Sequence, residues 1–150
     1  MKYDVDYLIL KEDKIYQKIE VKIDKRCDGT SATGSPPTGN LVYEYISHDK
    51  NGNQVPGWCE KTKADYAVFI LGEHNRKNRT FTVSRLVFVD MFRWRMYTDS
   101  HPSKLYEMRE QHPLSDTDMV GDYRHKYDEL KIEGVIVTEN TKVRGEIIKF

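Results

Sequence analysis

The run Ile19-Glu20-Val21-Lys22-Ile23-Asp24 constrains this chain more than any other. Ile19, Val21 and Ile23 alternate with Glu20, Lys22 and Asp24. Successive side chains of a strand point to opposite faces, so this period of two demands a half-buried strand. It also sets a carboxylate and an amine two positions apart on the same face. Upstream, Asp4-Val5-Asp6-Tyr7-Leu8-Ile9-Leu10 forms a second acidic strand, followed by a polar turn from Lys11 to Lys14. Together they predict an antiparallel hairpin, residues 5–10 with 15–24. An Asp, a short hairpin and Glu-x-Lys can build a divalent-metal site.

Composition narrows the classes. The 150 residues suffice for one domain with a real core. Apolar residues at 38% and charged residues at 32% describe a soluble globular chain. The formal net charge is zero, so there is no global basic field, and a nucleic-acid partner would need a local basic face. Cys27 and Cys59 have neither CxxC spacing nor a disulfide framework. With no signal peptide, they predict a reduced, cytoplasmic protein. No apolar run reaches the roughly 18 residues of a membrane span, so no membrane partner is expected.

Further along, the Gly- and Pro-bearing stretch 25–39 reads as a loop, either a surface connection or a flap over the end of the Glu-x-Lys strand. Residues 40–46 read as a strand with Glu44 among apolar neighbours, where a carboxylate needs a partner. Asp65 reads as a strand-start cap and Trp58 as core or a loop anchor. Residues 66–71 suit a central strand buried on both faces, and 80–83 a short strand. Residues 85–97 fit a helix capped by Ser84, although Val87, Phe88 and Val89 also suit a strand. A helix is expected over 103–111. Residues 114–129 are polar, and 132–138 with 142–149 predict a closing hairpin.

The chemistry follows from the acidic pair. A hard cation such as Mg²⁺ or Mn²⁺ takes oxygen ligands, and Asp6 and Glu20 could supply them. Lys22 can orient or deprotonate water, or hold a phosphate. The same residues also describe a charged, merely solvated hairpin face. Asp4 shares the face of Asp6 and rivals it. Asp24 ends the strand or supports the site, and Glu44 is a further supporting candidate. His48, His74, His101, His112 and His125 are scattered, show no zinc spacing and read as surface residues. There is no P-loop and no serine nucleophile elbow.

The order of segments adds to this. Asp6-Tyr7-Leu8-Ile9, then Glu20-Val21-Lys22-Ile23-Asp24, then Thr38-Gly39-Asn40-Leu41-Val42-Tyr43-Glu44, then Gly57-Trp58 and Lys63-Ala64-Asp65-Tyr66-Ala67-Val68-Phe69 run in sequence. Over roughly Asp6 to Met96 the chain resembles the PD-(D/E)XK, or restriction-endonuclease-like, nuclease superfamily. It looks most like the small phage and bacterial members related to Holliday-junction resolvases. The family's usual helix before the first motif is not expected, because Met1 stands five residues before Asp6.

The resemblance implies an α/β fold with a central mixed sheet flanked by helices, in one domain. A nuclease-like core would span about 1–97 and an extension carrying the hairpin about 98–150. It implies a Mg²⁺-dependent endonuclease acting on DNA, branched or structured forms included, with Asp6 and Glu20 as metal ligands and Lys22 assisting water. A homodimer is a further implication. Lys25, Arg26, Arg76, Lys77, Arg79, Arg85, Arg93 and Arg95 are the candidates for phosphate contacts. Two other readings stand beside it: a non-catalytic nucleic-acid-binding relative, and a small phage-type protein-interaction or inhibitor module.

Overall fold

The hairpin expected at the start forms, and the rest of the molecule is built out from it. The computed structural model describes residues 5–29, 36–101 and 121–150. Strands β1 (Tyr7–Lys11) and β2 (Lys14–Asp24) pair antiparallel. Their two-residue turn is Glu12-Asp13, with φ of 52° and 61°. Mirror-image hairpin turns need positive φ at both positions, which matches the right-handed twist of the flanking strands.

After β2 the chain leaves the sheet. It forms β3 (Asn40–His48), β4 (Gln54–Pro56) and the one-turn helix α1 (Trp58–Lys61), then returns as β5 (Tyr66–Asn75), parallel to β2. The order β1-β2-β5-β6-β8 makes the main sheet mixed, with β9 also paired to β6. A second sheet among the described residues has the order β4-β3-β7. The architecture is therefore α/β with a mixed sheet and few helices. No helix of the described residues is long and apolar enough to cross a membrane.

The ambiguous segment 85–97 divides rather than choosing. Strand β6 (Thr80–Asp90) lies between β5 on one side and β8 and β9 on the other. Its Thr80, Thr82, Val83, Val87 and Val89 are β-branched and suit that doubly paired position. Helix α2 (Met91–Asp99) starts only at Asp90, whose side chain accepts the Arg93 N–H at 2.9 Å. Ser84 is not a helix cap. Its hydroxyl lies 3.0 Å from both the Asp28 carboxylate and the Leu71 carbonyl, sharing its one proton between them.

The C-terminal half differs from expectation. Within the polar stretch 114–129, Gly121–Lys126 forms β7 against β3, and α3 (Tyr127–Ile132) follows. Strands β8 (Ile136–Asn140) and β9 (Ile147–Lys149) do not form the expected hairpin. Both pair with β6, at opposite ends of it. Alternation predicts that a segment is a strand, but not which neighbour it pairs with. The helix expected over 103–111 lies outside the described residues, as does Asp4.

One core joins the two sheets. Leu41 and Tyr43 of β3, Ala67, Phe69 and Leu71 of β5, and Val87 and Val89 of β6 belong to it. Fully buried Trp94 of α2 packs edge-on against Tyr43, Phe69 and Trp58. His125 is also fully buried, contrary to the surface reading of the histidines. Trp94 Nε1–H donates to its Nδ1 at 2.8 Å, so this ring nitrogen carries a lone pair rather than a proton. His125 also stacks on Tyr123. A buried ring with a satisfied acceptor is compatible with a core, which spacing in the sequence could not reveal.

Cys27 and Cys59 are both free and buried. Burial pushes the Cys27 thiol up to about 12, helped by the charges of Asp28 and Asp24. Burial likewise raises Cys59 well above its ordinary value. Neither is a thiolate nucleophile.

Candidate active site at the hairpin base

The site is built where the β1–β2 ladder ends. The last paired residues are Tyr7 and Ile19, so Asp6 and Glu20 are the next positions on their strands. Asp6 lies in a bend and its side chain turns into the hairpin. Its Oδ2 accepts the Val21 N–H at 2.8 Å, and its own N–H donates to the Ile19 carbonyl at 3.1 Å. The Asp6 carboxylate is thereby tied to the residue between Glu20 and Lys22. Asp6 is exposed, whereas Glu20 is buried at 9%.

A buried carboxylate must be compensated. Glu20 Oε1 takes the Lys22 ammonium at 2.5 Å, the same-face i, i+2 pair read from the sequence. Glu20 Oε2 lies 3.5 Å from the Thr62 hydroxyl, at the limit of a hydrogen bond. Lys22 Nζ also sits 4.7 Å from the centre of the Trp58 ring, a cation–π arrangement. Thr62 and Trp58 are thus part of the site. The Thr62 contact carried no signal in the sequence. The ring under Lys22 was foreshadowed only by the Gly57-Trp58 segment, where Trp58 reads as core or an anchor.

Glu44 acts one step removed. Its Oε1 accepts the Trp58 N–H at 3.0 Å, so it holds the first turn of α1 in place. Gly57 lets the chain pass: a Cβ there would lie 2.3 Å from the Glu44 carbonyl oxygen. Asp24 ends the strand, its Oδ1 accepting the Arg26 and Cys27 N–H groups at 2.7 and 2.8 Å. Asp65 ties the start of β5 to β2, accepting the Lys18 N–H at 2.8 Å.

The basic residues divide into two sets. Arg85, Arg93 and Arg95 are held in internal contacts. Arg85 grips Asp28 through two bonds of 2.6 Å, reaches Glu139 at 3.4 Å and lies 4.1 Å from the Tyr127 ring centre. Arg95 donates to the Cys59 and Thr62 carbonyls, and Arg93 to the Gly134 carbonyl. A phosphate would have to compete with these bonds. Lys25, Arg26, Arg76, Lys77 and Arg79 are exposed. Partial desolvation, then the charges of Lys25 and Arg76, hold His74 below the usual imidazole value, so the β2 end and the β5–β6 turn share one basic end of the sheet.

Among the described residues, no three His, Cys, Asp or Glu side chains gather on one point. Mg²⁺ does not require three, since it keeps several waters and commonly uses one or two carboxylates plus phosphate oxygens. Asp6 and Glu20 are hard oxygen donors of the right class, and Asp6 is open to solvent. Comparison with protein-family models, with curated proteins and with solved structures finds no match to this chain.

Proposed function

We propose that this protein is a metal-dependent nuclease that hydrolyses DNA phosphodiester bonds, branched or structured DNA included. The observation that carries the reading is the tie between the Asp6 carboxylate and the amide of Val21, the residue next to a buried Glu20 already paired with Lys22. The succession of a strand directly preceded by Asp6, an antiparallel Glu-x-Lys strand and a further strand parallel to it accords with a restriction-endonuclease-like core.

Asp6 and Glu20 would hold Mg²⁺ or Mn²⁺. Such an ion, when bound, acidifies a water and neutralises phosphate charge. Lys22 is the group that must give way at Glu20 Oε1. The Trp58 face stabilises its ammonium at that point, because a cation over an aromatic ring is worth about 0.5–2 kcal/mol. Freed from Glu20, Lys22 Nζ donates to the attacking water or to a phosphate oxygen. Thr62 orients the second oxygen of Glu20. Lys25, Arg26, Arg76, Lys77 and Arg79 would take flanking phosphates. From Glu20 to Lys25 is about 16 Å of extended chain, near five base steps of duplex.

The resemblance also implies a homodimer. Edge strand β1, with Tyr7, Leu8, Ile9 and Leu10 exposed at 40–64%, is the surface a second copy would cover.

The test is cleavage of linear, supercoiled and four-way-junction DNA with Mg²⁺ or Mn²⁺. The expected result is cleavage abolished by EDTA and reduced at least about 10³-fold in Glu20→Ala and Lys22→Ala. DNA binding that weakens steeply with salt, without cleavage, would leave a non-catalytic DNA-binding relative in its place. Neither binding nor cleavage would end both.

A further inference from the structure

We infer that the cleft between β3, β4 and α1 is a nucleobase subsite that receives an unpaired guanine. This rests on the nuclease reading and names the substrate form that reading left open: a strand with a base out of the stack.

The cleft has a volume of about 410 Å³ and is lined by Tyr45, Ile46, Gln54, Val55, Pro56 and Glu60. That volume falls in the range of small-molecule sites. Tyr45 is 38% exposed and is braced edge-on by Tyr123, with ring centroids 5.8 Å apart. It offers an aromatic wall that does not need to be ordered on binding. Ile46, Val55 and Pro56 add apolar lining, and Gln54 adds an amide beside the Glu60 carboxylate.

Glu60 supplies the polarity. Its Oε1 accepts the Tyr43 hydroxyl at 2.5 Å, and Tyr43 is 1% exposed. The carboxylate is therefore held by a buried phenol rather than left to swing. An acidic group repels phosphate, so the cleft selects against the nucleic-acid backbone and for a ligand rich in N–H donors. Guanine presents N1–H and an N2 amino group side by side, which a carboxylate accepts together. Thymine presents one N–H between two carbonyl oxygens, which a carboxylate repels. Stacking on Tyr and hydrogen bonding along the Watson–Crick edge is the way unstacked bases are read.

The position couples the cleft to the cleavage site. Trp58 touches Lys22 and Thr62 touches Glu20, while Glu60 lies between them on the same helical turn. Residues two apart on a helix point to opposite sides, so the two sites flank the same short helical turn. One strand can reach both.

The experiment measures binding in EDTA, where no cleavage occurs. Fluorescence anisotropy compares an all-thymidine oligonucleotide with the same strand carrying one central guanosine. The intact protein is expected to bind the guanosine strand about tenfold more tightly. Glu60→Gln should erase the preference, Tyr45→Ala should weaken binding of the guanosine strand, and Tyr45→Phe should restore it. Circular dichroism checks that each variant folds. Equal affinity of the intact protein for the two strands, no binding of either, or a preference that survives Glu60→Gln would overturn the assignment. A protein that cuts DNA without this preference keeps the nuclease reading and loses the subsite. One that prefers guanosine and never cuts does the reverse.

Discussion

Two charge pairs on neighbouring parts of the main sheet differ in how completely they are satisfied. Arg85 and Asp28 share a bidentate contact, and Ser84, Glu139 and the Tyr127 ring surround it. Burial opposes the Arg85 charge, yet its bonds to Asp28 more than offset this and raise its pKa. Glu20 and Lys22 share a single contact, with Thr62 at the edge of hydrogen-bonding range and an exposed Asp6 alongside. A saturated pair locks the fold: Asp28, just beyond β2, is fastened to β6. A sparsely partnered buried carboxylate next to open solvent would keep capacity for the proposed ion and substrate. On the proposed nuclease reading, the count of good partners, more than the presence of charge, separates the structural pair from the functional one.

Substitutions sharpen the contrast. Glu20→Ala should cost cleavage at least about 10³-fold, equivalent to about 4 kcal/mol in the barrier, while the melting temperature changes little. Asp28→Ala should do the opposite. It strands Arg85 on weaker partners and should lower stability by about 2–3 kcal/mol, below the value for a fully buried pair because both side chains retain some exposure. Denaturant unfolding measures this, and specific activity at low temperature should be retained. If Asp28→Ala removes activity without loss of stability, the division fails.

The core gives the next effect. Trp94→Phe removes the donor to His125 Nδ1 and should cost about 1–3 kcal/mol. His125 signals followed by NMR report whether the ring has moved.

The pH dependence has a fixed sign. Cys27, Cys59 and Tyr43 all have folded-state pKa values raised, chiefly by burial. Their contribution is fully present below their unfolded values of 9.0 for the thiols and 10.0 for the phenol, and is lost as pH rises through the folded values. Stability should therefore fall from about pH 9 toward 12, and both thiols should resist a disulfide reagent at pH 8 until the chain unfolds. Rapid labelling of folded protein would contradict their burial.

The smallest effect belongs to the turn. Replacing Glu12-Asp13 with Asn-Gly should stabilise by up to about 1 kcal/mol, since both positions have positive φ.

Much of the hairpin was legible because period two is a local signal and Glu12-Asp13 leaves no room for a long connection. The central place of β5 was legible from its apolar run, but not its burial: Ala67, Phe69 and Leu71 are buried while Tyr66, Val68 and Ile70 on the other face are half-buried. The β6–α2 boundary was not, because Val87, Phe88 and Val89 satisfy either period and Asp90 is one of many candidate caps. Strands β7, β8 and β9 depend on partners far away in sequence, which alternation cannot name. Within the candidate site, the Glu20–Lys22 contact followed from spacing. Thr62 did not, since it reaches Glu20 only after the whole crossover through β3, β4 and α1 has folded back. Arg85 and Arg95 read as free cations because nothing local shows that Asp28 and the α1 carbonyls await them.

The most direct test of the contrast is a titration with Mn²⁺ followed by NMR on labelled protein. The account predicts paramagnetic broadening centred on the amides of Asp6, Glu20 and Val21, absent in Glu20→Gln, while Asp28 and Arg85 stay sharp. Broadening centred elsewhere, or unchanged in Glu20→Gln, would contradict it.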